Sequence, residues 1–246
     1  MPAPPTDPAA AAHTLQILWR QWAAVGGAAP DPIRPARSVV DPEALLLASL
    51  WLAEMDRRLE DVAAAWVTVN STLLSVQRVK NLIPAFPAGT SKRVSGMADV
   101  ALLTKDFRWA SVACHERQFP GGDSGITAAK PQFTHAATLM LQLRQGMGVG
   151  VKADILAWLL ATRRDGRSWA GTAAITEALA YSAASVRRAA DDLAAARFIE
   201  VPSSSPVRLY GVDPARWVAA LGIGPIEPDW PDWRHGFARA AASVAN

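Results

Sequence analysis

The sequence predicts a mainly α protein: a helical bundle leading into a C-terminal unit of three helices and a strand pair. Three observations predict it. Half of the 246 residues are apolar, Ala is abundant, and ten Trp stand against two Tyr, a composition suited to an ordered, helix-rich core. Apolar side chains recur at helical spacing through most of the chain. Strand-like sequence is plainest in one place, where "FIEVP" and "VRLYGVD" flank a "SSSP" turn.

The elements follow in order. After a Pro-rich leader, Ala9 to Val25 places Leu15, Leu18, Trp19 and Trp22 on one face. "GGAAPDPIRPAR" is a breaker-rich linker that closes a first segment at residue 37. A helix restarts with Asp41 as N-cap, Pro42 in the first turn and Glu43 complementing the helix dipole. Leu59 to Val69 and Leu74 to Ile83 continue the helical pattern, and Pro84 to Gly96 reads as a loop or short strand pair. Residues 97–150 hold central helices, Met97 to His115 and Gln132 to Gln145, around a loop at Phe119 to Pro131 that is the best candidate for mobility. "GMGVG" is a hinge before residues 151–221, and 222–246 form a Pro- and Trp-rich tail with a last helix near His235 to Val244.

Within 151–221, "VKADILAWLLATRR" is a first helix and "GTAAITEALA" a second. Ser182 caps the third, "AASVRRAADDLAAARF", whose Val186, Ala189, Ala190 and Leu193 fall at i, i+3, i+4 and i+7 and form a buried stripe. Ala184, Arg187, Arg188 and Asp191 are left on the outer face. This order resembles the winged helix-turn-helix transcriptional regulators of the bacterial MarR and GntR kind. The residues that carry the resemblance are Ile175, Ala178, Ser182, Val186, Arg187, Arg188, Leu193 and Phe198, followed by the strand pair. The resemblance implies a third helix seated in the major groove and a hairpin lying along the backbone. Ala180 departs from it, standing where such proteins often have Gly; an alanine at positive φ costs roughly 1 kcal/mol there.

The residue chemistry suits that role. Ser182, Ala183, Ala184 and Ser185 make a small tip that lets the backbone approach base edges, and an alanine methyl can touch a thymine methyl. Arg187 and Arg188 reach a guanine edge or phosphates, and Asp191 holds one of them or accepts from cytosine. Ser204, with its neighbouring serines, and Arg208 suit phosphate contact from the hairpin. The competing reading keeps the winged helix but uses it for protein contacts, with the arginines as an ordinary solvated face.

The segment from Glu43 to Phe86 can also be laid on Lys152 to Phe198, with Ser75-Val76-Gln77-Arg78 falling on Ser185-Val186-Arg187-Arg188. On this alignment residues 38–96 hold a second, degenerate winged helix. Its third helix presents Gln77, Arg78, Lys80 and Asn81, and its wing carries Lys92 and Arg93. Coincidence between two Ala- and Leu-rich stretches is the alternative. The net charge of +3 permits a nucleic-acid partner without demanding one, although Arg78 to Arg108 is basic and Asp41 to Asp61 acidic on balance.

Other chemistry is not indicated. The four histidines (His13, His115, His135 and His235) are scattered, without metal-ligand spacing. Cys114 and His115 are sequence neighbours that point apart on a helix, and "GMGVG" lacks the Lys-Ser/Thr of a phosphate loop. No cofactor, no metal and no enzyme activity is expected. The lone cysteine fits a reducing cytoplasm, the N-terminus lacks a basic signal-peptide region, and no run of about 18 apolar residues suggests a membrane span. Trp19, Trp22, Trp51, Trp66 and Trp158 read as core, and Trp230 and Trp233 as docking anchors. The expectation is a cytoplasmic, sequence-specific double-stranded DNA-binding repressor, a homodimer with its central helices and tail at the interface. A small-molecule effector enclosed by the central helices remains open. The alternatives are a protein-interaction module, such as an antitoxin or partner subunit, and an enzyme without a recognisable motif.

Overall fold

The computed structural model describes residues 8–30, 33–113, 125–162, 168–202, 207–222 and 230, and over these the protein is mainly helical. The expected tail helix, Trp233, Cys114 and the hairpin turn with Ser204 lie outside the described residues. No helix among the described residues is long and apolar enough to cross a membrane. The chain divides into two units. The region expected as a separate central segment is shared between them, the division falling between Pro131 and Gln132.

The first unit contains α1 (Pro8–Ala24), α2 (Pro42–Leu52), α3 (Arg58–Asn70), α4 (Val76–Leu82) and α5 (Gly89–Leu103). Its centre is α2, which packs against the other four. The reason is local: "PEALLLASLWL" is apolar on every side, so it lowers its free energy only by being surrounded. Asp41 caps it as expected, accepting from the Ala44 amide at 3.1 Å. Trp22 and Trp66 meet with ring centres 5.9 Å apart, and their indole N–H groups donate to Ser49 Oγ (2.9 Å) and the Val25 carbonyl (2.8 Å). Gly26, at φ +86°, lets the chain pass so close to Ala129 that a Cβ would lie 2.8 Å from its carbonyl oxygen. The described part of the loop read as mobile is thereby tied down, Gly27 bridging Ala128 and Asn70 donating to the Ala129 carbonyl at 3.2 Å.

Residues 84–96 depart from the sequence reading. A 3-10 turn (Ile83–Ala85) is followed by α5, with no strand pair. Thr90, Val94, Met97, Ala98 and Ala101 are buried at helical spacing, and this pattern runs unbroken through polar residues that suggested a loop. The helix then stops at Leu103 instead of reaching His115. Lys105 turns left-handed (φ 66°), so that its amide and that of Asp106 satisfy the Leu102 and Ala101 carbonyls. Residues 38–96 therefore contain no wing, and the second winged helix is overturned.

The second unit contains α6 (Leu139–Met147), α7 (Val151–Ala161), β1 (Ser168–Gly171), α8 (Thr172–Leu179), α9 (Ala183–Ala195), β2 (Leu209–Val212) and α10 (Pro214–Leu221). Here α7 is the surrounded helix, burying Ile155, Leu156, Leu159 and Leu160 against α6, α8, α9 and both strands. β1 pairs antiparallel with β2, from Ser168 opposite Val212 to Gly171 opposite Leu209. On the other edge of β2, Glu200 exchanges two backbone hydrogen bonds with Gly211 at 2.7 and 3.0 Å. The first expected strand is thus a single bridge, whereas β1 and α10 were not foreseen. Trp230 packs against this unit's core.

Candidate nucleic-acid interface

The helix α9, third in the run that starts with α7, follows a turn made by Ala180, Tyr181 and Ser182. Ala180 adopts the left-handed conformation (φ 55°, ψ 35°) that its residue type disfavours, and its amide closes α8 onto the Thr176 carbonyl at 3.0 Å. Ser182 caps α9, its Oγ accepting from the Ser185 amide at 3.2 Å. Val186, Ala189, Ala190 and Leu193 are buried, the four positions that the helical spacing assigns to the core. The opposite side carries Ser182, Ala183, Ala184, Arg187 and Arg188, all exposed, with Ser185 half-buried beside them. Among the described residues, no ion pair or hydrogen bond engages the side chain of Arg187 or Arg188.

The turn is held from beneath by a buried polar network. Arg144 on α6 grips Asp154 on α7 through two hydrogen bonds, Nε to Oδ1 at 2.7 Å and Nη2 to Oδ2 at 2.8 Å. The Tyr181 hydroxyl donates to the same Oδ2 at 2.8 Å. All three residues are buried. Asp154 reads from sequence as ordinary dipole compensation. In the fold it anchors the residue that precedes the Ser182 cap, so α9 starts from a fixed point.

At the next level of α9 the strand joins in. Tyr210, buried on β2, donates to Asp191 Oδ1 at 2.9 Å, and Arg208 Nη2 reaches the same oxygen at 2.7 Å. Arg208 also donates from Nε to the Tyr210 hydroxyl at 3.2 Å. Burial pushes the Tyr210 hydroxyl above its usual value, and its hydrogen bond to Asp191 acts in the same direction. Sequence spacing gave Asp191 to Arg187 or Arg188; the fold gives it to Arg208. Asp192 turns the other way and pairs with Lys152 at 2.8 Å. Behind the helix, Trp217 and Phe198 meet edge-on at 5.5 Å, and Arg216 donates to the Arg197 carbonyl at 3.0 Å.

The first unit does not assemble the second interface expected of it. Arg78 is fully buried, donating to Asp41 Oδ1 at 2.6 Å, to Glu43 Oε2 at 2.7 Å and to Asp41 Oδ2. It cannot meet DNA: α4 turns this position inward because two carboxylates at the start of α2 are already buried there. Arg93 is on α5 rather than a wing, and is paired with Glu54 and Glu60, each at 3.1 Å. Lys80 donates to Ser111 at 2.7 Å, Gln77 to Asn81 at 2.9 Å, and Lys92 is exposed. The three arginines of the basic run from Arg78 to Arg108 are thus each paired with acids, Arg108 with Asp106 at 2.6 Å.

Tyr181 and Tyr210, which fix the two ends of the exposed face, are the residues that sequence reading missed. Their signal was present: they are the only tyrosines in the chain, Tyr181 next to Ser182 and Tyr210 two residues after Arg208. Among the described residues no cluster of His, Cys, Asp and Glu could hold a metal ion. No protein-family model matches the chain, and neither a curated protein nor a solved structure matches it.

Proposed function

We propose that the second unit is a winged helix-turn-helix that binds double-stranded DNA, and that the protein is a non-enzymatic, cytoplasmic transcriptional repressor acting as a homodimer. One observation carries the reading: α9 buries its apolar stripe and turns Ser182, Ala183, Ala184, Arg187 and Arg188 outward, with both guanidinium groups unengaged among the described residues. A capped helix start with a tip of small residues and two unpaired arginines behind it is what the major groove accommodates. The order helix, strand, two helices, bridge and strand agrees with that reading. In a dimer, the two third helices would meet successive major grooves about 34 Å apart.

Binding to duplexes from the gene's own upstream region tests this. A specific complex through six phosphates weakens by about three orders of magnitude between 50 and 200 mM salt. Arg187→Ala should reduce affinity and, where Arg187 contacts a phosphate, lower the salt slope by about one. Absence of a specific complex, or unchanged affinity in Arg187→Ala, refutes the proposal. A second reading, a module gripping another protein, is favoured by the exposed Trp169, Val201 and Val207 of the same unit. It predicts weak dependence on salt.

A further inference from the structure

We propose that Asp191 is a specificity-determining residue of the α9 face, an acceptor that selects a cytosine in the major groove; this rests on the DNA-binding reading above. Asp191 follows Arg187 by four residues, so the two share one side of the helix. Its side chain is 41% exposed. One oxygen, Oδ1, is held by the buried Tyr210 hydroxyl and by Arg208, which fixes the carboxylate in place. The other, Oδ2, has no hydrogen-bond partner among the described residues. Asp192, the neighbouring acid, is drawn aside by Lys152, so only one of the two carboxylates is offered beside the arginines.

The chemistry of such a group is restrictive. A carboxylate donates nothing, and every phosphate of a duplex repels it. Major-groove donors are the exocyclic amines of cytosine and adenine. Adenine sets the acceptor N7 beside its amine, a pattern that suits the amide of Asn or Gln, whereas cytosine offers N4 without that neighbour and suits Asp or Glu. Asp191 therefore weakens binding to any sequence that fails to place a cytosine amine against Oδ2, and this penalty is a means of discrimination. Arg187, one turn earlier, supplies attraction common to all duplexes or a neighbouring guanine contact.

The test is selection of binding sites by the full chain from a randomised duplex library, followed by affinity measurements at fixed salt on the selected and scrambled duplexes. The wild type should select a C·G pair whose replacement costs about ten- to a hundredfold in affinity. In Asp191→Asn and Asp191→Ala that penalty should fall to about threefold or less, and scrambled duplex should bind about threefold more tightly or better. A change of preference from cytosine to adenine in Asp191→Asn also supports the assignment. If both variants keep the cytosine preference, or if they weaken selected and scrambled duplex equally with unchanged melting temperature, the assignment is overturned while the DNA reading stands. A wild-type chain that selects no sequence overturns both.

Discussion

Arg78→Met tests the inward reading of α4 most directly. Arg78 and Glu43 are wholly buried and Asp41 nearly so, and the guanidinium makes three hydrogen bonds to their carboxylates. Met approximates the length and apolar stem of Arg, so the packing change is small and the electrostatic change dominates. Two carboxylates then remain buried without this counter-charge, and breaking a buried pair in this way costs about 3–5 kcal/mol. At about 2–4 °C per kcal/mol for a chain of this size, the melting temperature should fall by roughly 6–20 °C. Neutralising the acids as well, in Asp41→Asn/Glu43→Gln/Arg78→Met, should recover at least half of the loss. Asn still caps α2 and Gln still accepts from the Ser75 amide, which Glu43 does at 2.7 Å. Scanning calorimetry of the three proteins decides the matter. A single variant melting within about 2 °C of wild type would mean that Arg78 faces water, since exposed pairs contribute only about 0–1 kcal/mol, and its place on a DNA-reading face would reopen.

Two further outcomes are expected. Ala180→Gly should stabilise the second unit by about 0.5–1 kcal/mol, because relief of an alanine at φ 55° outweighs the greater flexibility of unfolded glycine; a lower or unchanged denaturation midpoint refutes the strain. Acid should weaken the first unit through Asp56 and Asp106, whose carboxyls lie below the usual range chiefly because Arg58 and Arg108 donate to them. A value lowered in the folded state gives stability that is present above the unfolded value of about 4 and lost as pH falls through the folded one. Denaturation at descending pH should therefore show a decline that flattens in Arg108→Gln, and an unaltered decline in that variant would assign it elsewhere.

Local physics determined much of this protein. The Asp41-Pro42 start of α2, the Ser182 cap and the inward stripe of α9 depend on spacing and on side chains a few residues apart, so the chain alone announces them. The same Asp-Pro signal stands at Asp213-Pro214, where it starts α10, the Asp213 carboxylate accepting from the Ala215 amide at 3.0 Å. A strand as short as β1 has too few residues to display alternation, and is defined by the partner it meets some forty residues later. Residues 84–96 look like a loop because Pro, Gly, Ser and Thr are poor helix formers, but burial of every third or fourth side chain from Thr90 onward outweighs that local propensity.

Tertiary structure alone decided where the charges went. Arg78 and Arg188 fall at matching positions in similar-looking segments, yet one is sealed against Asp41 and Glu43 while the other stands in solvent. Asp191 serves Arg208 rather than the arginines of its own helix, because Tyr210 brings the strand beside it. Sequence periodicity tells which side of a helix is apolar. It does not tell what the polar side will meet, since an ion pair is made by groups that folding brings together from distant parts of the chain.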